Sequence, residues 1–250
     1  MKQTTDSTPA LRESRRAAKD GEILFDPAVA PDFREELFAL DYWRSRDALS
    51  VATGGRGTVF FARAGAQDWA LRHYCRGGAV GRLLDDHYLW LGPDRTRSFR
   101  EWRLLARLFS AGLPVPRPVA ARYQRHGLAY TADLCTLRIP EAEPLSRRLA
   151  ADTAPADIWA RVGACVRKFH DAGVFHADLT AHNLLVDASG DVYLLDFDRG
   201  RLRGEGGDWR QANLARLDRS LRKIGRENPR IDVTADDMAS LRRAYARGHS

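Results

Sequence analysis

The chain has 250 residues, 44% of them hydrophobic, with a mean hydropathy of -0.44, which suits a core-burying domain or two small lobes and argues against a disordered chain. Lys and Arg number 40 against 33 Asp and Glu, a formal net charge of +7, which favours an anionic partner such as a nucleotide, nucleic acid or an acidic membrane face. There is no apolar secretion-signal segment near the start, no apolar run nears the roughly 18 to 20 residues of a spanning helix, and Cys75, Cys135 and Cys165 are too dispersed for a zinc site or disulfide framework, so a reducing cytoplasm is expected.

Residues 1–22 are polar and mixed in charge, with Arg12, Arg15, Arg16 and Lys19 as a basic cluster. They are expected to be a disordered tail outside the fold. Asp32 is placed to cap a helix over FREELFALDYWRSRDA, in which Phe33, Leu37 and Leu40 share helical spacing. The period then changes: VATGGRGTVFFARAGAQDWALRHYCRGG sets β-branched and aromatic residues around glycine turns, the pattern of two or three antiparallel strands.

Apolar residues at helical intervals return in SFREWRLLARLFSA (Phe99, Trp102, Leu105, Phe109), which stops at Gly112 with prolines beyond. Extended structure is expected over GLPVPRPVAARYQRHGLAYTADL. IWARVGACVRKFHDAG reads as an amphipathic helix carrying Ile158, Val162, Val166 and Phe169. A short buried strand follows in GDVYLLDFDRG, and WRQANLARLDRSLRKIG is a helix with Leu214, Leu217, Leu221 and Ile224 on one stripe. From Arg199 to Arg226 there are nine Lys or Arg against three acids; with the leucine stripe this fits attraction to anionic lipid, but the stripe reads first as core packing, with the cations simply solvated.

The chemistry is concentrated in VFHADLTAHNLLVD. Asp178 precedes Asn183 by five residues on a loop between a helix and an apolar strand, where a carboxylate can accept a hydroxyl proton and a carboxamide can bind Mg2+. Asp196 ends the apolar run VYLL, a position suited to a second magnesium ligand. Upstream, Gly54, Gly55 and Gly57 allow backbone amides to approach phosphates. Arg72 ends the next strand and Glu101 lies on the following helix. Taken singly, each has an ordinary explanation: a polar turn, a capped turn, a hairpin turn, a solvated charge. His176 is expected to brace the loop by hydrogen bonds, and His182 lacks the cysteine or histidine neighbours of a zinc site.

In succession these features resemble the protein-kinase-like fold: glycine hairpin, cation on the next strand, Glu on the next helix, His-x-Asp-x4-Asn, apolar strand, Asp-Phe. The expected architecture is α+β and two-lobed, with a small antiparallel-sheet N-lobe over 23–132 and a short, mainly helical C-lobe over 133–250. Only 54 residues follow Asp196, there is no Ala-Pro-Glu, no Ser or Thr lies between Asp196 and Ser220, and Asp198 stands where Asp-Phe-Gly has its glycine. A small molecule or glycolipid is therefore expected as acceptor in place of a protein.

GRGTVFFAR, LRHYCRGGAVGRLLDDHYLWLGPDRTRSFREWRLL, AGLPVPRPVAA, FHADLTAHNLL and NLARLDRSLRK resemble the 3-deoxy-D-manno-octulosonic acid (Kdo) kinases of the lipopolysaccharide-core kinase group, over roughly residues 54–226. The resemblance implies transfer of the ATP γ-phosphate to the 4-hydroxyl of Kdo on lipid A precursor, by a protein peripheral to the cytoplasmic face of a Gram-negative inner membrane. It implies Asp178 as catalytic base, Asn183 and Asp196 as Mg2+ ligands, and Gly55, Gly57, Arg72 and Glu101 around ATP. Arg72 stands where kinases keep a strand lysine; it retains the charge with a wider, planar fork. Arg76, Arg82, Arg95 and Arg97 flank DDHYLWLG and suit an acceptor's carboxylate or phosphates, and each suits a solvated surface position at least as well. An aminoglycoside-type or other sugar kinase and a pseudokinase binding module are the alternatives. The arginines argue against a cationic drug, and only Arg72 favours loss of catalysis. A nucleic-acid partner rests on charge alone, without a recognition motif, and is not expected; no protein partner is evident.

Overall fold

A computed structural model describes residues 10–51, 59–75, 86–204 and 206–247. The chain divides into two units, one of residues 1–110 and 117–138, the other of residues 111–116 and 139–250.

The first unit is built on one antiparallel sheet. Its strands are β1 (Ser14–Ala18), β2 (Gly21–Phe25), β3 (Leu49–Val51), β4 (Val59–Ala64), β5 (Gln67–His73), β6 (Tyr88–Leu89), β7 (Pro118–His126) and β8 (Ala129–Leu137). They run in the order β1-β2-β7-β8-β5-β4-β3, with β6 also paired to β8. Strands β7 and β8 turn over Gly127 and Leu128, where Gly127 adopts φ +64°, as the first position of a two-residue hairpin turn favours. Helix α1 (Leu40–Arg44) is short, and helix α2 (Arg97–Ser110) buries Phe99, Trp102, Leu105 and Leu108. Helix α2 packs on β7 and β8. On the sheet, Phe33, Trp43 and Trp69 stack into an aromatic core with Ile23, Leu71 and Val119. A buried ion pair joins this core: Arg117 donates to Asp26 Oδ2 at 2.6 and 3.0 Å, and Asp26 Oδ1 accepts from the backbone N–H groups of Arg12 and Ala28.

Three sequence expectations change here. Residues 14–22 are part of the sheet and not of a tail. Their basic cluster is held in place, with Arg16 over the Phe25 ring and bonded to Phe33 O, and Arg15 paired with Glu13, Glu22 and Asp94. An edge strand tolerates, and profits from, such charge. The single helix expected after Asp32 is a 3-10 turn over Glu35–Phe38 followed by α1, because Ala39 between them is extended; Asp32 pairs with Arg16, and the residue at the N-cap of the 3-10 turn is Arg34. The division expected at 132/133 would cut β8, which continues to Leu137. The chain leaves the first unit only after Arg138.

The second unit is mainly helical: α3 (Leu145–Ala150), α4 (Ile158–Asp171), α5 (Trp209–Glu227) and α6 (Ala235–Arg247). Five short strands accompany them, β9 (Glu143–Pro144), β10 (Val174–Phe175), β11 (Leu184–Val186), β12 (Val192–Leu194) and β13 (Arg201–Leu202). Strand β11 lies between β9 and β12, and β10 pairs with β13. The 111–116 segment belongs to this unit through the bond from Leu194 N–H to Pro114 O. Helix α4 buries Ile158, Val162, Val166 and Phe169, each worth about 1.5–3 kcal/mol. Gly163 lets α6 approach, since a Cβ there would lie 2.2 Å from Leu241 O. Most of the leucine stripe of α5 is core: Leu217, Leu221 and Ile224 are buried and Leu214 is half-buried, while Arg216, Arg219, Arg222 and Lys223 are exposed.

Candidate functional site

The stretch 174–187 folds as β10, a loop and β11, and the loop is held by backbone and side chain alike. His176 is almost wholly buried. Its Nε2 donates to Leu195 O at 2.8 Å while its Nδ1 accepts from Asp178 N–H at 3.2 Å, which fixes a neutral tautomer. Burial pushes its pKa down, in keeping with that neutral ring. The ring also meets the Phe197 ring edge-on, at 4.9 Å. From α5, Asn213 clamps the same residue, accepting from His176 N–H and donating to His176 O at 2.9 Å.

Leu195 is the knot of the site. Its N–H donates to Asn183 O at 2.9 Å and its carbonyl takes the His176 bond. The residue that follows it, Asp196, is therefore tied to the loop carrying Asp178 and Asn183. Asp196 itself adopts φ +64°, a left-handed conformation costing a non-glycine residue on the order of 1 kcal/mol, of the kind that clusters at working sites. Strand β12 ends at Leu194, so Asp196 stands in the turn just past the strand's end.

Asn183 donates from Nδ2 to Asp178 O at 2.8 Å and lies 3.5 Å from Asp178 Oδ2. Only the NH2 end of the amide can meet a carbonyl, so this bond turns Oδ1 the other way, as a cation ligand requires. One carboxamide oxygen and one carboxylate are hard donors that fit Mg2+, which keeps few protein ligands and completes its shell with phosphate and water. The Asp178 carboxylate is about half exposed, and its Oδ1 accepts from Arg216 of α5 at 2.9 Å. His182 contacts Ser146 Oγ at 2.8 Å through Nδ1.

The first unit holds the other charged residues. Arg72 and Glu101 form the pair expected of them, Arg72 Nη2 donating to Glu101 Oε2. Glu101 is buried, with its side chain only 1% exposed. Tyr74, just past the end of β5 and two residues on from Arg72, donates its hydroxyl to Glu101 Oε2 at 2.5 Å. Its ring lies 4.6 Å under the Arg72 guanidinium, and burial beside Glu101 raises its pKa well above the usual phenol value. Arg97 sits over Tyr88 at 4.5 Å and Tyr74 at 5.6 Å, while Arg95 is exposed. Gly55, Gly57, Arg76 and Arg82 lie outside the described residues.

Within the second unit, the structure thus brings Asp178, Asn183 and Asp196 together, and within the first, Arg72 and Glu101. Sequence reasoning missed three participants. Tyr74 was visible in principle from its i, i+2 spacing to Arg72. Asn213 and Arg216 come from a helix more than thirty residues downstream of Asp178, and no local pattern pairs them with the loop.

An antiparallel sheet whose Arg72 pairs with Glu101 of α2, with a second, helical unit presenting Asp, Asn and Asp from one loop and the strand end beside it, defines a protein-kinase-like phosphotransferase. Residues 41–245 match the model of the Lipopolysaccharide kinase (Kdo/WaaP) family, and the chain belongs to that family. It is 44% identical over 242 residues to a 3-deoxy-D-manno-octulosonic acid kinase of Stenotrophomonas maltophilia (strain K279a), covering 96% of this chain and 95% of the relative. The same identity and coverage relate it to the enzyme of that name from Xanthomonas axonopodis pv. citri (strain 306). With that of Xylella fastidiosa (strain 9a5c) the identity is 42% over 240 residues, again covering 96% of this chain and 95% of the relative.

Proposed function

We propose that the protein transfers the γ-phosphoryl group of ATP to the 4-hydroxyl of a 3-deoxy-D-manno-octulosonic acid residue on lipid A precursor, in lipopolysaccharide inner-core assembly. The observation that carries this reading is the knot at Leu195, which ties Asp196 to the Asp178–Asn183 loop. Named relatives that match nearly the whole chain supply the acceptor class. The Asp178 carboxylate orients the sugar hydroxyl and takes its proton as the new O–P bond forms and the bond to the β-phosphate breaks, ADP leaving with the electron pair. Asn183 Oδ1 and the Asp196 carboxylate would hold Mg2+, which when bound neutralises phosphate oxygens. Arg72, oriented by Glu101 and Tyr74, sets its planar fork against phosphate charge, and Gly55 and Gly57 let backbone close over it.

A cationic acceptor of the aminoglycoside kind is disfavoured by Arg216, whose positive charge sits directly on the proposed base. No helix among the described residues is long and apolar enough to cross a membrane. The reading accordingly takes the protein to its lipid-borne acceptor as a peripheral visitor to the cytoplasmic face of the inner membrane, drawn by charge.

The test is mass spectrometry of Kdo-bearing lipid A precursor after incubation with the protein, ATP and Mg2+. One added phosphate per acceptor is expected, and Asp178→Asn should slow its appearance at least ~100-fold while leaving the melting temperature within a few degrees. Turnover of aminoglycosides with none of the Kdo acceptor would overturn the reading.

A further inference from the structure

Helix α5 does more than complete the core of the second unit. Three of its side chains, at helical spacings of three and four, hold the catalytic loop: Asn213 clamps His176 on both sides, Arg216 bonds Asp178, and Ser220 Oγ accepts from Ala181 N–H at 3.2 Å. The bonds of Asn213 and Ser220 fall on the loop's backbone only. That of Arg216 places a permanent cation on the carboxylate that orients the attacking hydroxyl.

A guanidinium has five N–H donors, and Arg216 spends one on Asp178. Its side chain is 46% exposed, and its remaining donors meet no other described residue. Were Arg216 only a loop brace, like Asn213, burial and fuller pairing would serve it better. Along the same outward flank stand Arg219, one turn on, and Lys223, a further turn on, both exposed. Arg219 makes no ion pair among the described residues, and Lys223 reaches only Glu227, at 3.5 Å. At 1.5 Å rise per residue the three cations span about 10 Å, starting at the proposed base and leading away from it. Their neighbour Arg222 differs, being paired with Asp218 at 3.1 Å.

We propose that this flank of α5 is the acceptor's anion-binding site: Arg216 bridges Asp178 and the carboxylate of a sugar acid, while Arg219 and Lys223 take further anionic groups of the same acceptor. The inference rests on the proposed reading of Asp178 as the base beside the acceptor hydroxyl. It extends that reading by assigning recognition of the acid group to residues that no linear motif marks. An ulosonic acid carries its carboxylate on the reacting sugar itself, so a fork already fixed by Asp178 meets the acid while the carboxylate of Asp178 meets the hydroxyl. A neutral sugar would leave the fork without an anion to bind.

The experiment compares wild type with Arg216→Gln, Arg219→Gln and Arg222→Gln. It measures kcat and KM separately for ATP and for the Kdo-bearing lipid A precursor, and adds an acceptor whose carboxylate is blocked as the methyl ester. Arg216→Gln and Arg219→Gln should each raise KM for the acceptor about tenfold, the value of one charge-assisted bond, with KM for ATP unchanged. Arg222→Gln should match wild type. Esterification should penalise wild type about tenfold and Arg216→Gln much less. Because Arg216 touches Asp178, its variant is also expected to lose kcat; Arg219→Gln, away from the base, carries the recognition claim alone. An acceptor KM unmoved in both variants, or a rise in KM for ATP instead, would overturn the proposal. If wild type leaves the Kdo acceptor unmodified, the reading of the function falls first. Titration of free 3-deoxy-D-manno-octulosonic acid then decides the inference: weaker binding by the Arg216 and Arg219 variants supports it, and binding equal to wild type, or none by wild type, overturns it.

Discussion

A lysine ammonium is a compact point charge, whereas Arg72 works as a plate. Its guanidinium donates to Glu101 at one edge and lies over the Tyr74 ring with its face, and a single ammonium cannot do both. Arg72→Lys would therefore restore the residue that kinases of this fold more often use and still lose function. Steady-state kinetics should give a kcat/KM for ATP lower by roughly 10- to 100-fold, the range expected when one bidentate charged contact is lost, and mostly through KM. A lysine variant as active as wild type would show that only the charge matters. At this scale residue type and order along the chain are enough to put forward Asp178, Asn183, Asp196, Arg72 and Glu101 as candidates. Tyr74 reads as a core aromatic until its hydroxyl is seen on a buried carboxylate. Arg216 is lost when the cations of 199–226 are counted as a sum, because its meaning lies in a contact 38 residues away in sequence.

At the scale of elements, helices and buried strands are legible because their apolar period is set by the core they face. The misses are elements whose positions are decided elsewhere. Strand β1 has the alternating half-exposed pattern of an edge, which composition cannot tell from a polar tail. Helix α6 was not anticipated, although Thr234 and Asp237 form a reciprocal cap at its start, Thr234 Oγ1 accepting from Asp237 N–H and Asp237 Oδ2 from Thr234 N–H. What α6 needs from the rest of the chain is room at Gly163, and that requirement appears as an absent side chain. Gly163→Ala gains helix propensity of about 1 kcal/mol but sets a Cβ 2.2 Å from Leu241 O and 3.1 Å from Tyr245 N, so the backbones of α4 and α6 must part. Overpacking of this kind costs ~1–3 kcal/mol. The melting temperature should fall despite the better helix former, and amide exchange should accelerate in α6 more than in β11 or β12.

For the molecule as a whole, the histidines give its two units opposite responses to acid. His170 is buried at the end of α4, its Nδ1 2.8 Å from the Tyr245 hydroxyl and its ring edge-on to Trp209, with Asn213, Arg210, Arg167 and Asp171 nearby. Burial, the largest influence, pushes its pKa down to about 4 from 6.5. Above pH 6.5 neither folded nor unfolded chain binds that proton, and its contribution to stability is complete. Below 6.5 the unfolded chain takes the proton and the folded chain refuses it until about pH 4, so stability falls through that window, by about 3 kcal/mol in all. His176, also pushed down by burial, adds a loss of the same sign in the same unit. His73 in the first unit behaves in reverse: its hydrogen bond to Asp133 raises its pKa, so its contribution is full below 6.5 and is lost as pH rises through the raised value. The affected carboxylates, Asp86 and Asp94, titrate below their usual value and stay charged throughout the window. Between pH 7 and pH 4.5, exchange of amide hydrogens followed by mass spectrometry, corrected for the intrinsic pH dependence of exchange, should therefore show protection falling in α4, α5 and α6 while β7 and β8 hold theirs. His170→Asn should be less stable than wild type at pH 7 and show a flatter decline toward pH 4.5. Equal loss of protection in both units would mean that acid acts through the net charge of the chain and not through these buried rings.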